Sequence, residues 1–320
     1  MHEQSLAYPG VPYRTLDVPV QGGSLRVGLW GESGPVILCS HGITANHAEF
    51  QHFAQAMGPG VRLVAPDHRG RGHSYKIEGP WGMRAHAADL VAVLDHLGLA
   101  KADVMLGHSM GGFVGTVTAA LYPDRIGALL MVDGGVPLAQ LSWVTKIPFS
   151  DWMVEKLTER IIGPALKRLD MTFKSLEAYL DYWRPHPALA GNWCTEYERW
   201  VAYDLIGEAP ALRSSVRKDA LILDVRTQLI EDLVPQSLKK LDCPVRFLRA
   251  ERGLFNDKPL YSEERLAKAA KPVRRFSSAT IPGTNHYTIL LSQHGARAVA
   301  AEVRQLMAPR AAPQTAPQTA

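Results

Sequence analysis

The stretch Val104-Met105-Leu106-Gly107-His108-Ser109-Met110-Gly111-Gly112 limits what this chain can fold into more than any other. A short apolar run ends in Gly-x-Ser-x-Gly, and a helix-like run, Phe113 to Leu121, follows. That is the pattern of a strand, a sharp turn and a helix. Glycine at 107 and 111 removes the Cβ atoms that would collide as the chain reverses. The serine then sits at a strained apex, with its hydroxyl projecting away from the sheet. The helix behind the turn presents unpaired N–H groups and a partial positive charge. An oxyanion forming beside Ser109 would be stabilised by the backbone N–H of Met110.

The remaining elements fall into place around that turn. Thr15 to Val20 and Ser24 to Trp30 read as a hairpin across Gln21-Gly22-Gly23. Val36 to Ser40 is a continuous apolar run, the mark of a strand buried on both faces, and it ends in His41-Gly42-Ile43-Thr44. Arg62 to Pro66 is a further strand, ending in Asp67-His68-Arg69-Gly70-Arg71-Gly72-His73-Ser74. Met83 to Leu97 has helical periodicity, and Ile126 to Val132 is a strand that ends at Asp133-Gly134-Gly135. From Val136 to Lys240 the segments look helical and charged, and they hold five of the seven tryptophans. Sheet order resumes with a strand at Val245 to Ala250, a helix at Ser262 to Ala270, a strand at Arg274 to Ile281, and a closing helix at Gly295 to Met307. Strands alternating with helices predict an α/β fold, a mostly parallel sheet covered on both faces. The expected division is a core of 1–135 and 241–308, a helical lid of 136–240, and a disordered Ala-Pro-Gln-Thr tail of 309–320.

Composition narrows the partners. The net charge of +4 comes from scattered Lys and Arg, and the densest cluster (Lys271, Arg274, Arg275) reads as a solvated face, not a nucleic-acid site. No apolar run reaches the length of a membrane span, and no signal-peptide pattern opens the chain. Cys39, Cys194 and Cys243 lack a CxxC spacing and read as free thiols, so a cytoplasmic setting is expected.

A nucleophilic serine needs a base, an acid to orient that base, and an oxyanion hole. Among twelve histidines, His286 is selected by its position just past the last strand. His108 adjoins Ser109, but neighbours on a tight turn point apart, so its imidazole is expected to face the sheet. His41, His47, Asp67, His68 and His73 lack metal-ligand spacing, and no metal or cofactor is expected. Gly70-x-Gly72 lacks the third glycine of a phosphate cradle. The aromatic lid reads as lid core plus cavity lining, with Trp143 and Trp183 as candidate substrate contacts.

In their order along the chain, His41-Gly42, Asp67-x-Arg69-Gly70-x-Gly72-x-Ser74, Gly107-His108-Ser109-Met110-Gly111-Gly112 and Pro282-Gly283-x-x-His286 resemble the α/β-hydrolase fold superfamily of the serine esterase and lipase type. The match runs from Leu16 to Met307 except for the lid. The resemblance implies an eight-stranded sheet, an oxyanion hole of the Ile43 and Met110 amides, and a structural role for Asp67 to Ser74. It leaves the acid open. The common place, after the strand at Val245 to Ala250, holds Gly253, with Glu251 and Asp257 nearby. In some members, certain haloalkane dehalogenases among them, the acid ends the preceding strand instead, and Asp133 stands there, 24 residues after Ser109. Asp133 is favoured, with Glu251 as the alternative. The implied activity is cofactor-free hydrolysis of a small carboxylic ester or lactone with an apolar or aromatic part, through an acyl-enzyme. A carbon–carbon bond hydrolase or thioesterase would use the same triad, and a slow-turnover ligand-binding protein is the reading from another class. Serine at 109 argues against epoxide hydrolysis and dehalogenation, which resembling enzymes perform with an Asp nucleophile.

Overall fold

The computed structural model describes residues 6–7, 10–137 and 150–308. Its strands are β1 (Tyr13–Val20), β2 (Gly23–Trp30), β3 (Val36–Ser40), β4 (Arg62–Pro66), β5 (Val104–His108), β6 (Leu129–Val132), β7 (Leu205–Ile206), β8 (Arg213–Ser214), β9 (Val245–Arg252) and β10 (Phe276–Asn285). Its helices are α1 (Gln51–Met57), α2 (Met83–His96), α3 (Met110–Leu121), α4 (Ser150–Leu169), α5 (Leu176–Trp183), α6 (Thr195–Tyr203), α7 (Lys218–Leu229), α8 (Leu233–Leu238), α9 (Glu263–Ala270), α10 (Thr288–Leu291) and α11 (Gln293–Met307). The Ala-Pro-Gln-Thr end and Trp143 lie outside the described residues. Among the described residues, no helix is long and apolar enough to cross a membrane.

Eight strands form one sheet in the order β1-β2-β4-β3-β5-β6-β9-β10. β1 pairs antiparallel with β2, and β2 with β4; every other pairing is parallel. The two-residue period of a strand assigns each side chain to a layer. Val36, Leu38, Met105, Leu129, Met131, Val245 and Phe247 pack into one apolar cluster with residues of α2, α3, α8 and α9. Ile37, Cys39, Val104, Leu106, Leu130, Val132 and Leu248 alternate into a second cluster with α1, α10 and α11. β3, β5 and β6 are buried at every residue, which is why they read as unbroken apolar runs.

The segment between β6 and β9 contributes to both layers. Tyr179, Trp183, Tyr197 and Trp200 join the second cluster, and Leu221, Val225 and Val234 join the first. Serine side chains cap α5, α9 and α11, each accepting a backbone N–H three residues on. Three details differ from the sequence reading. α1 is not signalled by periodicity, because Gln51 and His52 are buried alongside Phe53 and Ala54. β6 begins only at Leu129, since Ile126 makes an isolated bridge to Ala102. β10 continues through Pro282 and Gly283 with a register shift between Ile281 and Asn285. Of the three free cysteines only Cys39 is fully buried.

Close backbone contact, not open space, fixes the glycines of the turn. A Cβ at Gly107 would strike the Gly111 carbonyl, and one at Gly111 would strike the Ser40 carbonyl of β3. Gly163 inside α4 has nothing within 4 Å of its would-be Cβ. In urea unfolding, Gly111→Ala should therefore cost about 3 kcal/mol, whereas Gly163→Ala should stabilise by up to about 1 kcal/mol. Equal effects of the two would contradict this packing.

Candidate active site

The carboxyl ends of the parallel strands meet at one edge of the sheet, where such folds gather ligands. Ser109 follows β5 and caps α3 with φ 53° and ψ −118°, a left-handed conformation unusual for a residue with a Cβ. Its amide donates to the Val132 carbonyl at 2.9 Å. Asp133 follows β6, also at positive φ, 47°, and its amide donates to the Leu248 carbonyl at 2.8 Å. His286 follows β10. The Ser109 hydroxyl lies 3.0 Å from His286 Nε2, and His286 Nδ1 lies 2.7 Å from Asp133 Oδ2. Because a carboxylate only accepts, Nδ1–H donates to Asp133 and Nε2 is left to accept from Ser109. The other Asp133 oxygen accepts from the Ala250 amide at 3.1 Å, so the carboxylate is fixed from two sides. Glu251 is exposed and accepts from the Gly283 amide at 2.9 Å, which secures the loop ahead of His286. Asp257 approaches the Phe255 amide at 3.4 Å.

A cavity of about 160 Å³ opens over this row and is lined by Ser109, His286, Ile43, Met110 and Trp183, among others. Met110 is the first residue of α3, where an N–H has no acceptor within the helix. The Ile43 carbonyl accepts from Arg71 Nε at 2.9 Å, which holds the loop after β3 from below. Arg71 also donates to the Arg69 carbonyl at 3.0 Å and pairs with Asp224 of α7 at 2.5 Å. Arg69 is locked in turn by Asp89, with bonds of 2.5 and 2.6 Å.

His108 departs from the sequence expectation. Its ring does not face the sheet but lines the cavity between Glu49 and His286. Nε2 lies 2.8 Å from the His286 carbonyl and Nδ1 lies 3.3 Å from Glu49 Oε1. Both partners are acceptors, an arrangement that favours the doubly protonated ring. Burial pulls the His108 pKa down, but the charge and hydrogen bond of Glu49, with the His286 carbonyl and Asp133, carry it above 6.5. For His286 the balance is reversed. Burial, helped by the charge of His108, outweighs Asp133 and holds it below 6.5. Its neutral form, the one able to take the serine proton, therefore persists to lower pH than that of a free imidazole.

Asp67 and its neighbours, weighed as metal ligands from the sequence, are occupied with each other. Asp67 accepts from the His47 amide and Nδ1, both at 2.8 Å, and from the His73 amide and the Tyr203 hydroxyl, both at 2.9 Å. Burial would raise its pKa; His47 first, then His41, hold it well below the usual carboxylate range. His41 accepts the His68 amide on Nε2 at 2.9 Å, and burial lowers its pKa to about 4. A different trio, His52, Cys194 and Glu196, brings one ligand-type atom each within 4.8 Å of one another. Glu49, Arg168, Trp200 and Tyr287 also line the cavity, and no motif in the sequence marks them.

The opposed shifts are measurable. In an NMR titration of the two imidazoles, His286 should remain neutral and His108 protonated at pH 6.5. The reverse order would contradict the Glu49–His108 pairing.

Comparison with known proteins adds to the geometry. Residues 35–192 match the family model described as alpha/beta hydrolase fold. Lipase LipV of Mycobacterium tuberculosis is 37% identical over 115 residues, which are 36% of this chain and 43% of the lipase. The chain thus spans less than half of that relative's length. A 2-(acetamidomethylene)succinate hydrolase of Mesorhizobium japonicum is 28% identical over 257 residues, 80% of this chain and 82% of the relative. A solved structure of E-2-(acetamidomethylene)succinate hydrolase superposes with a TM-score of 0.73 at 21% identity, over 92% of this chain and 99% of that one. The sheet order, the placement of its loops and the family model together show that the chain has the α/β-hydrolase fold.

Proposed function

We propose that the chain is a cofactor-free serine hydrolase that cleaves small carboxylic esters through an acyl-enzyme on Ser109. The observation that carries this reading is the unbroken hydrogen-bonded row Ser109–His286–Asp133, at 3.0 and 2.7 Å. Ser109 Oγ attacks the ester carbonyl as His286 Nε2 takes its proton. The carbonyl oxygen becomes an oxyanion held by the Ile43 and Met110 amides. The C–O bond to the alcohol breaks, and His286 returns the proton to the departing oxygen. Water then attacks the acyl-serine with His286 again as base, and the acid and free Ser109 are released. Asp133 keeps the imidazole in the required tautomer and stabilises its charged form.

The helical segment 136–240 acts as the lid that sets substrate choice. Its Tyr182, Trp183 and Trp200 face the cavity together with Phe113, Phe255 and Leu260, which favours an apolar or aromatic acyl or alcohol part. Relatives with hydrolase names, including a lipase, support the general reading. Thioesters and diketones belong in the substrate test, because the same row of residues would serve them.

Ser109→Ala and His286→Ala should each lower kcat by about 10⁴-fold or more, and Asp133→Asn by on the order of 10⁴-fold. Glu251→Gln should stay within about threefold of the parent, since exposed substitutions have small effects. Steady-state rates on chromogenic esters check this, and a crippled Glu251→Gln beside an active Asp133→Asn would overturn the assignment. Within that panel, butyrate or benzoate esters should exceed acetate in kcat/KM. A preference for acetate would contradict the apolar cavity.

A further inference from the structure

The two sides of the cavity differ in how their polar atoms are satisfied. On the sheet side, Ser109, Asp133, His286, His108 and Glu49 bond to one another. On the helical side, three lining residues each keep one buried polar atom without a partner on the protein: Arg168 Nη2, Trp200 Nε1 and Gln228 Oε1. All three residues are more than nine-tenths buried. Buried polar groups are nearly always paired, so a cluster of orphans on one wall calls for a ligand. Two of the three are N–H donors, and the Gln228 amide becomes a third when it turns over.

The guanidinium is rigidly held for such a task. Arg168 Nη1 donates to Asp204 Oδ2 at 2.7 Å, to Ser214 Oγ at 3.0 Å and to the Tyr179 hydroxyl. The Tyr179 and Ser214 hydroxyls donate to the same Asp204 oxygen, and Ser215 Oγ fills the other at 2.8 Å. Every partner grips one nitrogen and leaves Nη2 with two N–H bonds to offer. The guanidinium carbon lies 5.0 Å from the Trp183 ring centre. From there the rings run on by 5.4 Å to Trp200, 6.2 Å to Tyr287 and 5.7 Å to His286. Arg168 and the reacting serine thus line one cavity, with a run of aromatic rings along its wall between them.

We propose that Arg168 and Trp200 Nε1 form a subsite for a carboxylate carried by the substrate apart from its scissile bond. A carboxylate has acceptors only and matches a wall of donors; Arg168 supplies the charge. The inference rests on the hydrolase reading and narrows it, from apolar esters to esters with an apolar body and one anionic end.

The test compares matched esters on the whole chain: 4-nitrophenyl pentanoate against mono-4-nitrophenyl glutarate for the acyl side, and phenyl acetate against 4-acetoxybenzoate for the alcohol side. In at least one pair the anionic ester should have the higher kcat/KM, by about 10- to 100-fold, expressed mainly in KM. Arg168→Met should bring that ratio close to one, and Arg168→Lys should restore part of it. Because Arg168→Met leaves Asp204 unpaired, the double variant Arg168→Met/Asp204→Asn should show the same collapse. Trp200→Phe keeps an aromatic ring and removes the N–H, and it should reduce the ratio about threefold. The ratio is read within each variant, so partial unfolding cancels. Equal rates in both pairs, or a preference that survives Arg168→Met, would overturn the subsite. If no ester turns over, the hydrolase reading fails by itself. Calorimetric titration of glutarate into Ser109→Ala protein still decides the subsite, which requires binding there and its loss in Ser109→Ala/Arg168→Met. No binding of glutarate to either would overturn it.

Discussion

The backbone of Ser109 is the constraint on which the rest of the structure depends. A residue with a Cβ held at φ 53° costs about 1–3 kcal/mol of strain, and it persists only where its surroundings leave no alternative. Here they leave none. Gly107 and Gly111 close against each other and against β3, and the chain at Gly134 passes so near Ser109 that a Cβ would strike its carbonyl. β3, β5 and β6, buried throughout, anchor these contacts. The consequence is directional. The hydroxyl leaves the sheet edge and meets His286, which β10 delivers from three strands away, across β6 and β9.

The loops around that apex are tied by buried charge. Asp67 collects donors from the loop after β3, from its own loop and from Tyr203 of α6. Arg71 joins the Ile43 carbonyl to Asp224 of α7, and Asn46 Nδ2 donates to the Trp200 carbonyl at 3.2 Å. The helical segment is therefore fastened through polar contacts to the same loops that border the cavity. Removing one member of a buried ion pair leaves its partner uncompensated, so these ties are costly to break singly. One set of interactions thus fixes both the floor and the wall of the site.

Much of this was legible in the sequence, because the constraints are local. Strands buried on both faces print as apolar runs, and close backbone approach prints as glycine. Those signals located β3, β4, β5 and the turn to within a residue or two, and the order of strands singled out His286; the family resemblance favoured Asp133 over Glu251, and Asp133 and His286 lie together. What was not legible depends on contacts across long sequence separations. Glu49 reaches His108 over 59 residues, and Arg168 reaches Asp204 over 36, with nothing in either neighbourhood to announce the pairing. The orientation of His108 was misjudged for the same reason: a tight turn says that neighbours diverge, but a buried carboxylate and the His286 carbonyl decide where the ring goes. α1 escaped because its polar residues are buried too, which erases the helical period.

The central claim is that the geometry around Ser109 makes its hydroxyl a nucleophile. The most direct measurement is intact-mass and peptide-mass analysis after reaction with a fluorophosphonate, which phosphonylates an activated serine and releases fluoride. The account predicts one adduct per chain, located on the peptide containing Ser109 and absent from His286→Ala protein. An unlabelled chain, a label on another residue, or labelling that persists without His286 would contradict it.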